Sequence, residues 1–356
     1  MSDAASTLYS QVAERLPLAR ALPREAYLDP AVFAAEVERV FRAGWLPVAR
    51  DSDLAAPGDY RTVDVAGAPL VAVRDGAGEI HVMSRVCRHR GMPVVEGAGN
   101  AKAFTCPYHL WRYGLDGRLA AAPAMERSEA FVREDCALPK VATTRWGGWV
   151  FANLDGAAPP LAPRLAALEE RLAPIDPASL VSVGVLEFDS PWNWKLMVEN
   201  FLESYHHIGP HAQTLQLSNP GLGTYEGLGD EAFTVLENPP ADASHAPFVV
   251  AAVFPVTLMF FTEDGSRLGV WYELDQVTQG AFRLRIHLLA TPEFAAVPEF
   301  VAHYREQVAA VHAEDIPACE GAQAGVASPL YEPGPLSHLE APLWRFHRHL
   351  RRAIGA

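Results

Sequence analysis

The chain has 356 residues, 49% hydrophobic and 20% charged, which is the make-up of a globular protein and excludes disorder as its main state. Acidic residues outnumber basic ones 43 to 29, for a net charge of −14. A nucleic-acid partner is therefore not expected, because phosphate binding needs a basic face. Four cysteines are too few for a disulfide scaffold. No apolar run reaches the roughly 20 residues that span a bilayer, and the N-terminus shows no basic stretch leading into an apolar one. The expectation is a cytoplasmic protein of about two domains, with no membrane association.

Residues 1–43 read as helical. Pro30 suits the first helical position after Asp29, and Val32, Phe33, Val37, Val40 and Phe41 follow at helical spacing. From residue 44 to 155 the texture changes to short apolar runs between Gly, Pro and Asp: Trp45–Val48, Tyr60–Val65, Leu70–Val73, Ile80–Met83, Phe104 and Trp149–Asn153. This predicts a small all-β domain. Asp155–Pro163, rich in Ala and Pro, reads as the linker. Residues 156–356 then read as a second, mixed domain. A helix is expected at Leu165–Leu172, a strand at Val181–Phe188 and an amphipathic helix at Trp194–Tyr205. Phe233–Glu237, Phe248–Phe254, Leu258–Thr262, Leu268–Leu274 and Phe282–Leu289 predict an antiparallel sheet. A long helix spans about Pro298 to Gln323. Another starts at Ser337, where Ser337 and Glu340 fit a capping box. Its arginines, Arg345, Arg348, Arg351 and Arg352, read as a solvated face near the negative end of the dipole.

Two constellations carry chemistry. In the first, Cys87-Arg88-His89 and Cys106-Pro107-Tyr108-His109 are separated by sixteen residues. Two thiolates and two imidazoles on tight loops can hold zinc or a 2Fe–2S cluster. Each loop supplies one Cys and one His, which lets the set divide as two Cys on one iron and two His on the other, the Rieske ligation. Gly91, Pro93, Pro107 and Gly114 can shape the loops, and Trp111 can shield the group from water. Cys136 and Cys319 have no partner at metal spacing and read as ordinary thiols.

Cys87-Arg88-His89-Arg90-Gly91 and Cys106-Pro107-Tyr108-His109-Leu110-Trp111 resemble the cluster-binding loops of the Rieske non-haem iron ring-hydroxylating oxygenase alpha subunits. Leu110 departs from the family, which usually has Gly there. The resemblance implies an α+β chain. A small all-β Rieske domain (44–155) would precede a catalytic domain (156–356) whose antiparallel sheet wraps around helices, a helix-grip fold. The 1–43 segment would pack on the catalytic domain.

The second constellation lies in Asn193–His211, which holds His206, His207 and His211. Iron(II) that activates oxygen wants two His and one carboxylate on one face. His207 and His211 are four apart and share a face of a regular helix. His206 and His211 are five apart, about 140° around the axis, and converge only if the helix breaks, for which Gly209-Pro210 is a candidate. Glu203-x-x-His206-x-x-x-x-His211 is similar to the family's acid-x-x-His-x4-His motif. That resemblance makes His206 and His211 iron ligands. It makes Glu203 a catalytic link to the cluster of a neighbouring subunit, through His89 or His109. Asn200 becomes a residue near the metal, and Tyr205 and His207 become pocket residues. The carboxylate comes from further along. Val308, Val311 and Asp315 share a helical face, so Asp315 is the buried acid, while Glu314 points about 100° away.

The resemblance further implies one Rieske 2Fe–2S cluster and one mononuclear Fe(II). It implies NAD(P)H- and O2-dependent hydroxylation of a small organic molecule, a separate reductase or ferredoxin as electron donor, and a homotrimer. There is no G-x-G-x-x-G segment after a strand, so no nicotinamide site is expected in this chain. The motifs look most like the group that includes choline, carnitine and betaine monooxygenases as well as aromatic-acid hydroxylases. For the pocket, Phe260, Trp271 and Tyr272 are candidates along with Phe254, Leu258 and Met259. Aromatics with Glu263 or Glu273 can form a cation cage or hold a flat ring, though alternation sends Trp271 and Tyr272 to opposite faces. The sequence leaves monooxygenation, dihydroxylation and dealkylation open. The competing readings are an electron-transfer Rieske protein with a non-catalytic ligand-binding domain and a zinc-stabilised module.

Overall fold

A computed structural model describes residues 4–355. They form two compact units, one Trp45–Pro159 and the other the described residues of Met1–Gly44 and Pro160–Ala356.

The Trp45–Pro159 unit is built from ten short strands: β1 (Leu46–Arg50), β2 (Asp59–Val65), β3 (Ala68–Arg74), β4 (Ile80–Ser84), β5 (Ala98–Asn100), β6 (Phe104–Thr105), β7 (Arg112–Tyr113), β8 (Leu119–Ala121), β9 (Ala142–Trp146) and β10 (Trp149–Asn153). They make three antiparallel sheets in the orders β1-β10-β9, β4-β3-β2-β5 and β6-β7-β8. Two-residue turns set the register of two hairpins. Ala66-Gly67 and Gly147-Gly148 all have positive φ, the geometry whose twist matches paired strands. Val71, Val73, Met83, Phe104, Trp111 and Tyr113 are buried in one core cluster with Cys87 and Cys106. The hydrophobic centre of this unit therefore lies directly behind the two thiols.

The second unit is organised by a seven-stranded antiparallel sheet. It comprises β11 (Val181–Ser190), β12 (Tyr225–Gly229), β13 (Phe233–Asn238), β14 (Phe248–Val253), β15 (Thr257–Thr262), β16 (Gly269–Asp275) and β17 (Phe282–Ala290), in the order β11-β17-β16-β15-β14-β13-β12. The 29-residue helix Pro298–Val326 packs along one face of it. The ring of its His312 lies 4.4 Å from that of Phe188 on β11 and 5.9 Å from that of Tyr272 on β16, and its Tyr304 hydroxyl donates to the Gly269 carbonyl. The helix Trp194–Phe201 packs against that long helix. The mixed α+β class and the helix-gripping sheet are as the sequence implied.

Several elements differ in detail. The 1–43 stretch is not one helix but short pieces, Ala4–Tyr9, Arg24–Leu28 and Pro30–Glu36, the last running on into a π-type turn at Val37–Arg42. Pro17, Pro23 and Pro30 each remove a backbone donor where a single helix would need one. Asp29 caps the Pro30 helix by accepting from the Ala31 amide. Within the expected linker, Leu161–Arg164 forms a helical turn. Strands β5, β7, β8, β9 and β12 were not anticipated; Gly227 and Gly229 break the apolar pattern of β12. The capping box at Ser337 opens a 3-10 turn before the helix Ala341–Ile354. That helix's arginines are pinned rather than merely solvated. Arg345 pairs with Glu226, Arg348 and Arg351 with Glu14, and Arg352 with Glu231. No helix among the described residues is long and apolar enough to cross a membrane.

Candidate functional site

The two loops of the Trp45–Pro159 unit are built alike. The Cys87 amide donates to the Met92 carbonyl and the Cys87 carbonyl accepts from the Gly91 amide. The Cys106 amide donates to the Trp111 carbonyl and the Cys106 carbonyl accepts from the Leu110 amide. Each loop closes through a residue four beyond the cysteine with positive φ, Gly91 at 77° and Leu110 at 59°. Leu110 thus stands in a left-handed conformation that favours glycine. Both thiols are buried, and the Tyr113 hydroxyl lies 3.3 Å from Cys87 Sγ while accepting from the Arg88 amide at 3.0 Å. The His89 and His109 rings sit 4.5 Å apart, and His89 is stacked on Trp111 at 4.8 Å. Burial and the neighbouring His89 and Arg90 hold His109 below the usual histidine range.

Two buried thiols beneath two adjacent, more exposed imidazoles fit a 2Fe–2S cluster with its His-bound iron outward. A single zinc ion would draw its four donors to within about 4 Å of one another. Among the described residues, the one set of three His, Cys or carboxylate ligand atoms within 4.8 Å of one another is in the other unit.

That set is His206, His211 and Asp315, whose ligand atoms lie within 4.8 Å of one another. His206 Nε2 is 3.4 Å and His211 Nε2 is 3.0 Å from Asp315 Oδ1. The helix that leads into the motif ends at Phe201, earlier than expected. A separate 3-10 turn, Tyr205–Ile208, presents His206 and stops at Gly209, and His211 follows in a further turn. This break brings together two histidines that a continuous helix would splay. Two tertiary contacts fix it. Ser204 Oγ donates to Asn238 Oδ1 at 2.6 Å. Gly221 lies so close behind that a Cβ there would sit 2.2 Å from the Ser204 carbonyl oxygen.

Both imidazoles are oriented through Nδ1. His206 Nδ1–H donates to Glu203 Oε1 at 2.7 Å, and the His206 amide donates to Glu203 Oε2 at 2.9 Å. His211 Nδ1–H donates to Glu314 Oε2 at 2.7 Å, which also accepts from Thr214 Oγ1 at 2.6 Å. Each Nε2 is thereby left facing Asp315. Asn200 Nδ2 donates to Asp315 Oδ1 at 3.3 Å. Burial would push the Asp315 carboxyl up, but its hydrogen bonds to His206 and His211 hold it well below the usual carboxylate range. Burial disfavours a charged His206, yet hydrogen bonds to Asp315 and Glu203 override it and push the ring up to about 10. His211 is raised against its burial by the same Asp315 bond. Two neutral imidazoles and a buried anion, with no Lys or Arg paired to Asp315 among the described residues, fit a divalent iron. Without a metal, the site keeps its charge balanced by holding protons.

The other expected site residues fall into distinct places. His207 is buried, its ring 5.4 Å from that of His206 and 5.5 Å from that of His211, and its Nδ1 donates to the Asn219 carbonyl at 2.9 Å; burial pushes it down to about 4. Tyr205 is 43% exposed. Tyr272 and Phe260 face the helices. The Tyr272 ring is 4.7 Å from that of Phe201, and the Phe260 ring is 4.7 Å from that of Phe248. Trp271 faces the other side of the sheet, stacked on His287 at 4.3 Å. The acids of the suggested cage are engaged elsewhere, Glu273 with His287 at 2.6 Å and Glu263 with Arg171 at 2.7 Å. Glu314, Thr214, Phe201 and Phe248 were not singled out from sequence. An acid directly beside Asp315 was a signal for the first; the others had none. His312, one turn before Asp315, is fully buried with no hydrogen-bond partner for either ring nitrogen among the described residues, and burial pushes it down to about 4.

Comparison with known proteins matches residues 44–142 to the Rieske [2Fe-2S] domain and residues 177–356 to the ring hydroxylating alpha subunit (catalytic domain). The glycine betaine monooxygenase oxygenase subunit of Chromohalobacter salexigens is 37% identical over 195 residues, 54% of this chain and 44% of that protein. The carnitine monooxygenase oxygenase subunit of Acinetobacter pittii is 37% identical over 193 residues, 53% of this chain and 51% of that protein. The matched stretch spans about half the length of these curated relatives. The crystal structure of the quaternary ammonium Rieske monooxygenase CntA aligns over 98% of both chains with a TM-score of 0.88 and 24% identity, a likeness of fold. The matched domains are those of a Rieske 2Fe–2S cluster and a mononuclear iron. The catalytic-domain match alone covers half of the sequence, and the chain belongs to the ring-hydroxylating oxygenase alpha subunit family, with a Rieske domain ahead of its catalytic domain.

Proposed function

We propose that this chain is the oxygenase component of a Rieske non-haem iron oxygenase that hydroxylates a small quaternary ammonium compound. The observation that carries the reading is the convergence of His206, His211 and Asp315 in the unit that also holds the packed rings of Phe201, Phe248 and Phe260. In this reading Cys87, His89, Cys106 and His109 hold the cluster, residues 44–155 form the Rieske domain, and 156–356 form the catalytic domain. When loaded, the iron supplies activation of dioxygen, with electrons from NAD(P)H arriving through a separate reductase or ferredoxin and the cluster.

The residues of the chain prepare that chemistry. Glu203 keeps the proton of His206 on Nδ1, so that Nε2 is free for metal. Asp315 supplies the buried negative charge, and Asn200 restrains its orientation. Phe201, Phe248, Phe260 and Tyr272 exclude water, and their ring faces suit an ammonium group without any carboxylate in the cage. The relatives named for glycine betaine and carnitine favour this class over a flat aromatic ring.

A homotrimer is part of the proposal. Met92, Tyr108 and Leu110 are exposed around His89 and His109, and Tyr205 and Ile208 are exposed around Glu203 and His206. Such clusters of apolar surface mark interaction sites. One copy's cluster loops against another's Glu203 would cover both and give Glu203 a second hydrogen-bond donor. Four unpaired cysteines suit a cytoplasmic location.

The test is substrate-dependent oxygen uptake with a surrogate reductase and NADH. Choline, betaine or carnitine should stimulate it and benzoate-type acids should not. Stimulation by the aromatic acids alone would overturn the substrate class. In the same assay Glu203→Gln should retain iron and sulfide but turn over far more slowly. Parent-like turnover would exclude the link.

A further inference from the structure

We infer that Glu314, together with Thr214, is a positioning pair that sets the orientation and tautomer of His211, and so controls how firmly the mononuclear metal is held. The inference rests on the iron-site reading above and goes beyond it, because Glu314 is neither a ligand nor part of the acid-x-x-His-x4-His motif.

The geometry is specific. Glu314 Oε2 accepts from His211 Nδ1–H at 2.7 Å and from Thr214 Oγ1 at 2.6 Å. A carboxylate at Nδ1 keeps the ring proton there and directs the Nε2 lone pair to the metal position, where it also raises the basicity of the ligand. His211 has no other side-chain acceptor at Nδ1 among the described residues, and its side chain is 1% exposed, so Glu314 is the group that meets this nitrogen in the folded chain. Thr214 holds the carboxylate from the far end of the same turn, its hydroxyl also lying 3.4 Å from the His211 carbonyl.

The arrangement differs from that at His206. Glu203 is three residues before His206 and binds both its ring and its amide, so that arm is local. Glu314 comes from the Pro298–Val326 helix, a hundred residues away in sequence, and its neighbour Asp315 offers the carboxylate. One turn of that helix therefore supplies the acid of the triad and fixes the imidazole opposite it. The distance between two of the three ligand atoms is set by a single pair of adjacent residues.

The experiment is release of iron from the holoenzyme to an Fe(II) chelator under anaerobic conditions, with sulfide content and cluster absorbance followed in the same samples. Glu314→Ala should lose mononuclear iron about 10–100-fold faster than the parent, with the cluster intact. Glu314→Gln, which can still accept from Nδ1 but carries no charge, should fall between them, and Thr214→Val should show a smaller change in the same direction. The nitric oxide adduct of the Fe(II) form gives a second readout. Its electron paramagnetic resonance signal should broaden or change rhombicity in Glu314→Ala, and more than in Glu314→Gln, which keeps an acceptor at Nδ1. Iron release within twofold of the parent, with an unchanged nitric oxide signal, would overturn the inference. If the parent itself held no third iron, it is the iron-site reading that would fail, and the two results are distinguishable by that measurement.

Discussion

Metal binding at the triad must displace protons, and the structure sets how many and at what cost. In the metal-free chain Asp315 stays ionised between two imidazoles. His206, opposed by burial but bonded to Asp315 and Glu203, titrates at about 10, roughly three pH units above neutrality. An imidazole must be neutral to bind metal. Removing the His206 proton at pH 7 therefore costs about 4 kcal/mol, at about 1.4 kcal/mol per pH unit. The apparent affinity should rise about tenfold for each pH unit between 6.5 and 8.5 from this proton alone, and more steeply where His211, also raised, is still protonated. The sign for stability follows the same linkage. A folded pKa above the unfolded 6.5 favours the metal-free fold below pH 6.5, and that gain is lost as pH rises through about 10. The loaded protein lacks this term, so the stabilisation by metal should grow with pH. Calorimetric titration of the mononuclear site with Zn(II), in two buffers of different ionisation enthalpy at pH 7.5, counts the protons released. Between one and two per metal are expected. No release, with an affinity flat from pH 6.5 to 8.5, would refute the coupling between Asp315 and the two histidines.

Three further outcomes can be checked by stability measurements. Lys195 and Glu36 form an ion pair at 2.8 Å with both side chains fully buried, and Glu36 also accepts from Tyr9 and Trp194; Lys195→Met strands that charge and should cost about 3–5 kcal/mol in urea unfolding. Leu110→Gly relieves a left-handed leucine and should stabilise the Trp45–Pro159 unit by up to about 1 kcal/mol, read as a later loss of cluster absorbance on heating, while Gly91→Leu should lose a similar amount. His312→Leu removes two buried nitrogens that have no hydrogen-bond partner among the described residues, so stability should hold or rise by about 1 kcal/mol; a loss larger than that would show that the ring has a polar role.

The parts of this protein that could be read from sequence are those whose signal is local. The strands β14 to β17 follow apolar runs bounded by turn residues. Asp315 stood out because it is an acid on an apolar helical face, and it is buried. The Cys and His pairs stood out by residue type and spacing alone. Other features depended on partners far along the chain. Nothing in Leu202-Glu203-Ser204 forbids a helix, and local propensity continues one to Tyr205; the helix stops because Ser204 is bonded to Asn238 and backed by Gly221. Periodicity put Glu314 away from the buried face, correctly, and so missed that its side chain reaches His211 from there. Trp271 and Tyr272 were known to part by alternation, but which of them faces the helices was decided by the packing of Phe201 and His312 against Tyr272. A metal ligand has to be one of a few residue types, so its chemistry is itself the signal. A residue that orients a ligand needs only to reach it with one oxygen, and many residues can do that from many places. The fold, not the residue type, selects Glu314, and the metal site becomes complete only when the loop after Gly209 and the Pro298–Val326 helix are brought together.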